Sequence, residues 1–264
     1  VPALKEVLGQ LRSRAVRVVT VDTPKPSPMA QSLLFTWIAA YMYEGDAPLA
    51  ERRAAALALD RDLLRDLLGA EELRELLDPG VLADVELGLQ RLADGRRARS
   101  ADELHDVLRR VGDLTVAEID LRCEPTQNGW LRQLLDEKRA IELVVAGETR
   151  YAAAEDAARY RDALGCALPM GLPQVFTEPV PRPLEDLVAR YARTHGPFVE
   201  REVAERFGAG EARILGALRA LEDDGRVVRG EFRPEGVRRE WCDSEVLRQL
   251  RRRSLSVLRQ EVEP

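Results

Sequence analysis

Residues 183–208 read PLEDLVARYARTHGPFVEREVAERFG, and residues 211–245 read EARILGALRALEDDGRVVRGEFRPEGVRREWCDSE. Apolar residues recur at helical spacing in three runs, of which the first two are separated at 196–197 and the third ends at Gly225. Two strands and the turn between them are then predicted at 226–232, 237–241 and 233–236. Three helices followed by a two-stranded wing predict a winged helix, which is a variant of the helix-turn-helix.

An earlier part of the chain repeats this order of elements. Residues 101–119 read ADELHDVLRRVGDLTVAEI, and residues 130–156 read WLRQLLDEKRAIELVVAGETRYAAAED. Alternating apolar residues predict a second hairpin, with its turn at 146–148. The sequence therefore predicts a mainly α chain with small β wings, an α+β fold class in which tandem winged-helix domains follow a leucine-rich helical domain.

Changes in composition divide the chain into parts. A charged hinge occupies 93–102, and a proline-rich link joins the two copies of the repeat. The predicted parts are a lead helix and strand at 1–24, the leucine-rich helical domain at 25–97, a winged helix at 98–166, the linker at 167–183, and a winged helix plus C-terminal helix at 184–264.

Composition excludes several classes of protein. The 264 residues carry 40 basic and 46 acidic side chains, and no apolar run approaches the roughly 18 to 20 residues of a membrane span. Residues 1–14 carry four charged side chains where a signal peptide needs an apolar stretch. Cys123, Cys166 and Cys242 are odd in number and widely spaced, which favours reduced thiols. A cytoplasmic chain without membrane contact is expected.

Motifs that mark catalytic centres are missing from the sequence. No glycine is followed by lysine, which rules out the phosphate-binding loop, and GxGxxG, HExxH, GxSxG and CxxC are absent too. His105 and His195 have no cysteine at ligand spacing, so helix-end histidines near water are expected rather than metal ligands. We assign no catalytic residue, metal or cofactor to this sequence. A carboxylate-only mechanism stays open, because 46 acids offer many candidate bases.

Arginines accumulate towards the C-terminus. Residues 225–259 contain ten arginines and five acidic residues, on a chain with a net charge of −6. The third helix of the second copy mixes arginine with Glu211 and Glu222, which predicts a poor reader of the major groove, whereas the wing and last helix favour phosphate contacts. A solvated or salt-bridged face is the alternative. The candidate nucleic-acid-binding residues are Arg213, Arg219, Arg226, Arg229, Arg233, Arg238, Arg239, Arg251 and Arg252.

Long strings of the sequence resemble one protein family. They are PSPMAQSLLFTWIAAYMYEGDAPLAERRAAALALDRDLLRDLLG at 26–69, ELRELLDP at 72–79, ARYARTHGPF at 189–198, GEFRPEG at 230–236, and EWCDSEVLRQLRRRSLSVLRQEVEP at 240–264. They resemble the C-terminal region of the large helicase-related (Lhr) family of bacterial superfamily 2 helicases. The resemblance covers residues 15–264.

The resemblance implies a setting for the chain. Family members are ATP-dependent translocases on single-stranded DNA that unwind duplexes with a 3′ tail, RNA:DNA hybrids included, with a role in DNA repair. ATP and Mg²⁺ are expected for their motor domains, whose motifs do not occur here. In relatives the winged-helix extension is associated with homo-oligomer assembly, and it is similar in architecture to a winged-helix DNA glycosylase family.

Three functions are therefore expected of the sequence. The first is a non-catalytic accessory module of an ATP-dependent 3′–5′ DNA helicase, with single-stranded or tailed duplex DNA, RNA:DNA hybrid and the helicase core of the same chain as partners. The second is a homo-oligomerisation scaffold with little affinity for DNA. The third is part of a DNA glycosylase-like unit, for which no active-site motif is recognised.

Overall fold

The computed structural model describes residues 77–124 and 129–262, with the side chains of 259–262 excepted. Residues 70–257 form one compact unit, and the contacts below lie within it. The predictions for 1–24 and for most of the leucine-rich domain lie outside the described residues. In chain order the elements are α1 (Pro79–Leu89), α2 (Ala101–Val111), α3 (Val116–Leu121), α4 (Trp130–Asp136), β1 (Ala140–Val145), β2 (Glu148–Ala153), α5 (Ala157–Leu164), α6 (Pro183–Thr194), α7 (Glu200–Phe207), α8 (Glu211–Asp223), β3 (Val227–Gly230), β4 (Glu240–Asp243) and α9 (Ser244–Val262).

The predicted mainly α fold with small β wings is confirmed. Helices dominate the described residues, and each of the two sheets is a single antiparallel strand pair, β1 with β2 and β3 with β4. Across 77–124 and 129–262, no helix is both long enough and apolar enough to cross a bilayer.

The first winged helix consists of α2, α3, α4 and the β1–β2 hairpin. The Ser100 hydroxyl caps α2, and Thr115 with Glu118 forms a capping box at the start of α3. β1 and β2 are joined by a two-residue turn in which Ala146 and Gly147 both have positive φ, as tight hairpin turns require. Local sequence signals therefore account for this domain.

The second winged helix, formed by α6, α7, α8 and the β3–β4 hairpin, has the same architecture. In each copy the turn between the first two helices forms a β-bridge to the second strand of the hairpin. Leu114 pairs with Tyr151 in the first copy, and Phe198 pairs with Trp241 in the second. The tandem repeat predicted from the sequence is thus present in three dimensions.

The second hairpin is shorter than predicted. β3 ends at Gly230 and β4 begins at Glu240, whereas the prediction extended the strands to 232 and from 237. Glu240 is 1% exposed and accepts the backbone N–H of Phe232 at 2.9 Å. This side-chain bond replaces a ladder bond between the strands, so residues 231–239 form a loop, which we call the wing loop.

The first hairpin is anchored in a core shared by both copies. Ile141, Leu143 and Val145 on its inner face belong to one cluster with Leu187 of α6 and Leu218 of α8. This strand face is therefore buried against the second winged helix, and the hairpin acts as a structural link between the copies.

The turn of the first hairpin also lies against the end of α7. A Cβ atom on Gly208 would lie only 2.9 Å from Ala146 Cα, and Gly208 has a φ of +60°. Glycine is therefore required there by both the backbone conformation and the close approach.

Helix α1 packs on α6 of the second winged helix. The Asp78 carboxylate caps α1 and Pro79 occupies its first turn. Gln90, directly after α1, donates to the carbonyl oxygen of Thr194 at 2.6 Å. The sequence-based boundary at 97 groups α1 with the leucine-rich domain, and the domain limits stay predictions.

Candidate nucleic-acid interface

Two arginines of the wing loop are held by carboxylates. Arg233 Nη1 donates to Glu202 Oε1 at 2.8 Å. Arg239 Nε lies 3.2 Å from Glu231 Oε1. These contacts neutralise part of the positive charge and hold the loop in place, so a phosphate would have to compete with an existing partner.

Three more predicted arginines lie on the same hairpin. The guanidinium carbon of Arg229 lies 5.3 Å from the centre of the Trp241 ring, a cation–π arrangement. Arg238 is exposed in the wing loop, and Arg226 is half-buried before β3. The structure brings these predicted residues together on one hairpin, and their role in binding stays a prediction.

The predicted residues on α8 are less suited to a DNA groove. Arg213 Nη2 donates to the carbonyl oxygen of Ala163 at 2.9 Å, so this side chain joins α8 to α5 of the preceding copy. Arg219 is exposed, but Glu222 and Asp223 are exposed beside it. A helix that presents both signs of charge repels part of the phosphate backbone that it would have to approach.

The structure shows an arginine cluster that the sequence did not predict as a unit. A cleft of about 530 Å³ opens between α2, α6 and α9. We call it the arginine cleft, because five arginines line it: Arg109, Arg110, Arg193, Arg248 and Arg252. Of the predicted residues on α9, exposed Arg252 lines this cleft, whereas Arg251 is half-buried outside its lining.

The carboxylates of the arginine cleft are already engaged. Asp243 accepts two backbone N–H groups of the first turn of α9, at 2.9 and 3.2 Å. Glu245 pairs with Arg248 within the same helix. Arg109 lies 3.7 Å from Glu155, a long contact that leaves 59% of the arginine side chain exposed.

The remaining three arginines of the cleft have no carboxylate in direct contact among the described residues. Arg110, Arg193 and Arg252 are exposed, and none has a hydrogen bond or ion pair with a described residue. Desolvation in the cleft lowers the pKa of Arg193, the charges of Arg226 and Arg190 lower it further, and the charges of Asp243 and Asp186 oppose the shift. The cleft therefore concentrates positive potential that an anion would relieve.

Sequence reasoning missed Arg109, Arg110 and Arg193. Read along the chain, Arg109 and Arg110 are two basic residues in the last turn of α2, where a positive charge usually complements the helix dipole. That adjacent pair was the available signal, but only the packing of α2 against α6 brings it to Arg193.

Next to the first hairpin lies a buried polar network whose charged groups, unlike those of the arginine cleft, are paired with one another. Arg150 Nη1 donates to Asp113 Oδ2 at 2.8 Å, and the Tyr160 hydroxyl donates to Asp113 Oδ1 at 3.0 Å. Arg206 of the second copy donates to the Asp113 carbonyl oxygen and, at 2.6 Å, to Glu118 Oε1. The enclosed space beside this network is about 40 Å³. Such a space holds water and is too small for a nucleobase, so the network is a structural link.

Both histidines are more enclosed than the sequence predicted. His105 is buried within α2, with Nε2 3.2 Å from Glu155 Oε2. His195 follows α6 and stacks on the Tyr191 ring at 3.7 Å between centroids. The prediction of helix-end histidines near water is wrong for His105, which lies inside α2 and is covered by the helical turn that carries Glu155. His195 does lie at the end of α6, as predicted, where it is half-buried.

His195 is held as a neutral imidazole. Its Nδ1 lies 2.8 Å from the Tyr191 carbonyl oxygen, to which an Nδ1–H group donates. The Gln90 amide lies 3.2 Å from Nε2, where it donates to the unprotonated nitrogen. Burial lowers the pKa of His195 to about 4, the bond to Tyr191 opposes the shift, and the charges of Arg206 and Arg122 add to it.

This arrangement predicts a loss of stability in mild acid. Unfolded His195 takes up a proton near pH 6.5, whereas the folded chain resists protonation until about pH 4. The free energy of unfolding should therefore have its full value above pH 6.5 and fall by about 2 kcal/mol as the pH drops to 4. Urea unfolding of wild type and His195→Gln over this range measures the effect, because the variant should lose this component. Equal pH slopes in the two proteins would contradict it.

The geometry defines the class of this protein as a tandem winged-helix module with an arginine-rich surface. Residues 75–179 match a family described as large helicase-related protein, winged-helix domain. The chain is 50% identical over 265 residues to a protein of Mycolicibacterium smegmatis described as "Lhr helicase/ probable uracil glycosylase". It is 41% identical over 266 residues to a protein of Escherichia coli K12 described as "Lhr helicase/uracil glycosylase".

Both matches cover 100% of this chain, and the chain spans 18% and 17% of the lengths of these relatives. Residues 75–179 therefore carry the winged-helix domain of the large helicase-related (Lhr) family, and the resemblance to this family predicted from the sequence is confirmed.

Proposed function

We propose that the chain is a non-catalytic accessory module of an Lhr-type helicase, which contacts the backbone of nucleic acid and supports assembly in DNA repair. The observation that carries the proposal is the set of exposed arginines on a winged-helix unit of a chain that is acidic overall. Phosphate contacts need only positive groups that can reach the backbone, and they give affinity without sequence preference.

The activity of the whole protein is part of this proposal. Both relatives are described as helicases, and the resemblance implies an ATP-dependent 3′–5′ enzyme that uses ATP and Mg²⁺ in its motor domains. Because this sequence has no phosphate-binding loop, its part is to hold a strand of single-stranded DNA, tailed duplex DNA or RNA:DNA hybrid for the helicase core. We propose that the protein acts in the cytoplasm.

Fluorescence anisotropy of the 264-residue chain with labelled single-stranded and tailed duplex DNA tests the module. If the chain contacts several phosphates, raising the salt concentration from roughly 50 to 200 mM should lower the affinity by about 10- to 100-fold. Two oligonucleotides of equal length and different sequence should bind alike, because the contacts are to the backbone. No binding at either salt concentration would refute a nucleic-acid-contacting module.

Base excision is a second candidate function, because the E. coli relative is also described as a "uracil glycosylase" and the M. smegmatis relative as a "probable uracil glycosylase". A groove of about 500 Å³ beside α1 and the wing loop has the size for a base and contains Glu86 and Glu202. Both carboxylates already accept structural hydrogen bonds, from Gly196 N and from Val199 N respectively, and we assign neither a catalytic role. Incubation of the chain with uracil-containing DNA tests base excision. If no uracil is released, base excision is ruled out as a function of this chain.

Assembly is the remaining part of the proposal. Helix α3 exposes two apolar side chains, Val116 at 49% and Leu121 at 60%, which a second copy could cover. Multi-angle light scattering of wild type and Leu121→Glu measures the subunit number. A monomer at all concentrations would remove assembly from the proposal and leave nucleic-acid contact unaffected.

A further inference from the structure

We propose that the arginine cleft is a phosphate-binding site that holds the backbone of a nucleic-acid strand, with Arg110, Arg193 and Arg252 as the main contacts. The inference rests on the proposed function and gives it a location. The contact surface is thereby moved from the wing loop, which the sequence favoured, to the junction of α2, α6 and α9.

The charge of the cleft lining is predominantly positive. Five arginines line it, and its two carboxylates, Asp243 and Glu245, are engaged by α9 itself. In the wing loop, by contrast, Arg233 and Arg239 each have a carboxylate within 3.2 Å. A phosphate entering the cleft meets three guanidinium groups, those of Arg110, Arg193 and Arg252, that have no hydrogen bond or ion pair with a described residue, so it gains these contacts without breaking existing ones.

The fold holds the arginines of the cleft close together. The helices that contribute Arg110, Arg193 and Arg252 come from the first copy, the second copy and the C-terminal helix. The shared core that contains Leu143 and Leu187 fixes the two copies against each other. The cleft therefore exists before the ligand arrives, and binding does not have to pay for assembling like charges.

The lining of the cleft suits a phosphate backbone better than a base. Apart from arginine, the walls are contributed by Leu89, Thr194, Val246, Gln249 and the two carboxylates, and no aromatic ring of a described residue lines the cleft to stack a base. Arginine forks fit phosphate oxygens in bidentate fashion. The volume of about 530 Å³ has room for a nucleotide-sized section of backbone.

A depression next to the arginine cleft is less suited to bind the backbone. It shares Arg109 and Arg110 with the arginine cleft and also contains Arg159 and Arg190. Both of these bind Asp156, at 2.7 and 2.5 Å, so their charge is already compensated. The backbone is therefore expected to follow the cleft itself.

Three alanine variants of the full chain test the inference by anisotropy with single-stranded DNA and single-stranded RNA. The cleft variant is R110A/R193A/R252A, and the wing variant is R229A/R238A/R239A. The control is R99A/R132A/R201A, three exposed arginines, of which Arg99 precedes the opposite end of α2 and the others pair with carboxylates on their own helices. All three variants remove the same charge, so a general electrostatic effect appears equally in each.

The cleft variant is expected to lose at least about tenfold in affinity for both polymers, with a salt slope that is lower by about 2 to 3. The wing and control variants should lose less than about threefold each. Circular dichroism should show the cleft variant folded, because the removed side chains have no partners among the described residues.

The remaining outcomes separate the two proposals. If the cleft variant binds like the control, the cleft is not the binding site, and the proposed function still stands. Loss of affinity in the wing variant alone leads to the same conclusion. Loss on DNA but not on RNA overturns recognition through the shared phosphate backbone. A wild-type chain that binds neither polymer overturns the proposed function and the cleft together.

Discussion

Asp113→Ala is expected to lower the free energy of unfolding by about 3 to 5 kcal/mol. The carboxylate is 3% exposed and accepts from Arg150 Nη1 at 2.8 Å and from the Tyr160 hydroxyl at 3.0 Å. Without it, Arg150, whose side chain is 6% exposed, keeps the carbonyl oxygen of Arg206 at 3.1 Å and the carboxylate of Glu148, which lies at the surface. The cost arises because a buried guanidinium loses its buried counter-charge. Urea unfolding followed by circular dichroism measures the change.

Two further variants identify the cause of this loss. Asp106→Ala removes a carboxylate from α2 whose side chain is 64% exposed and should change the free energy by less than about 0.5 kcal/mol. The double variant Asp113→Ala/Arg150→Met should be more stable than Asp113→Ala alone, because it also removes the stranded charge. A loss below about 1 kcal/mol in Asp113→Ala would show that the network contributes little to stability.

The two winged helices could be predicted because each depends on signals that are close together in the sequence. Capping by Ser100 and by Thr115 is a local event, and so is the turn at Ala146 and Gly147. The end of β3 could not be predicted in the same way. It depends on the Glu240 side chain reaching the Phe232 N–H, and the period-two pattern of the strand carries no sign of that bond.

The candidate site was harder to predict than the fold. Net charge pointed to residues 225–259, and that region does contribute Arg248 and Arg252 to the arginine cleft. Charge counting along the chain cannot tell a paired arginine such as Arg233 from one without a partner such as Arg110. The difference depends on which carboxylates the fold brings near, and those come from other elements.

Leu143→Ala is expected to lower the free energy of unfolding by about 2 to 5 kcal/mol. Leu143 is 2% exposed on the inner face of the first hairpin, in the core that it shares with Leu187 and Leu218 of the second winged helix. Truncation leaves a cavity at the junction of the copies, and Gly208 against the hairpin turn limits how far the strand can move to fill it. Urea unfolding measures the loss.

Val144→Ala is the matched control, because Val144 is the next residue of the same strand and is 62% exposed. Its effect should be below about 0.5 kcal/mol. If the copies form one cooperative unit, Leu143→Ala shifts a single transition for both. A separate early transition of the first copy would instead show that the copies unfold independently. The arginine cleft would then depend on a weak junction, since Arg110 and Arg193 lie on opposite sides of it.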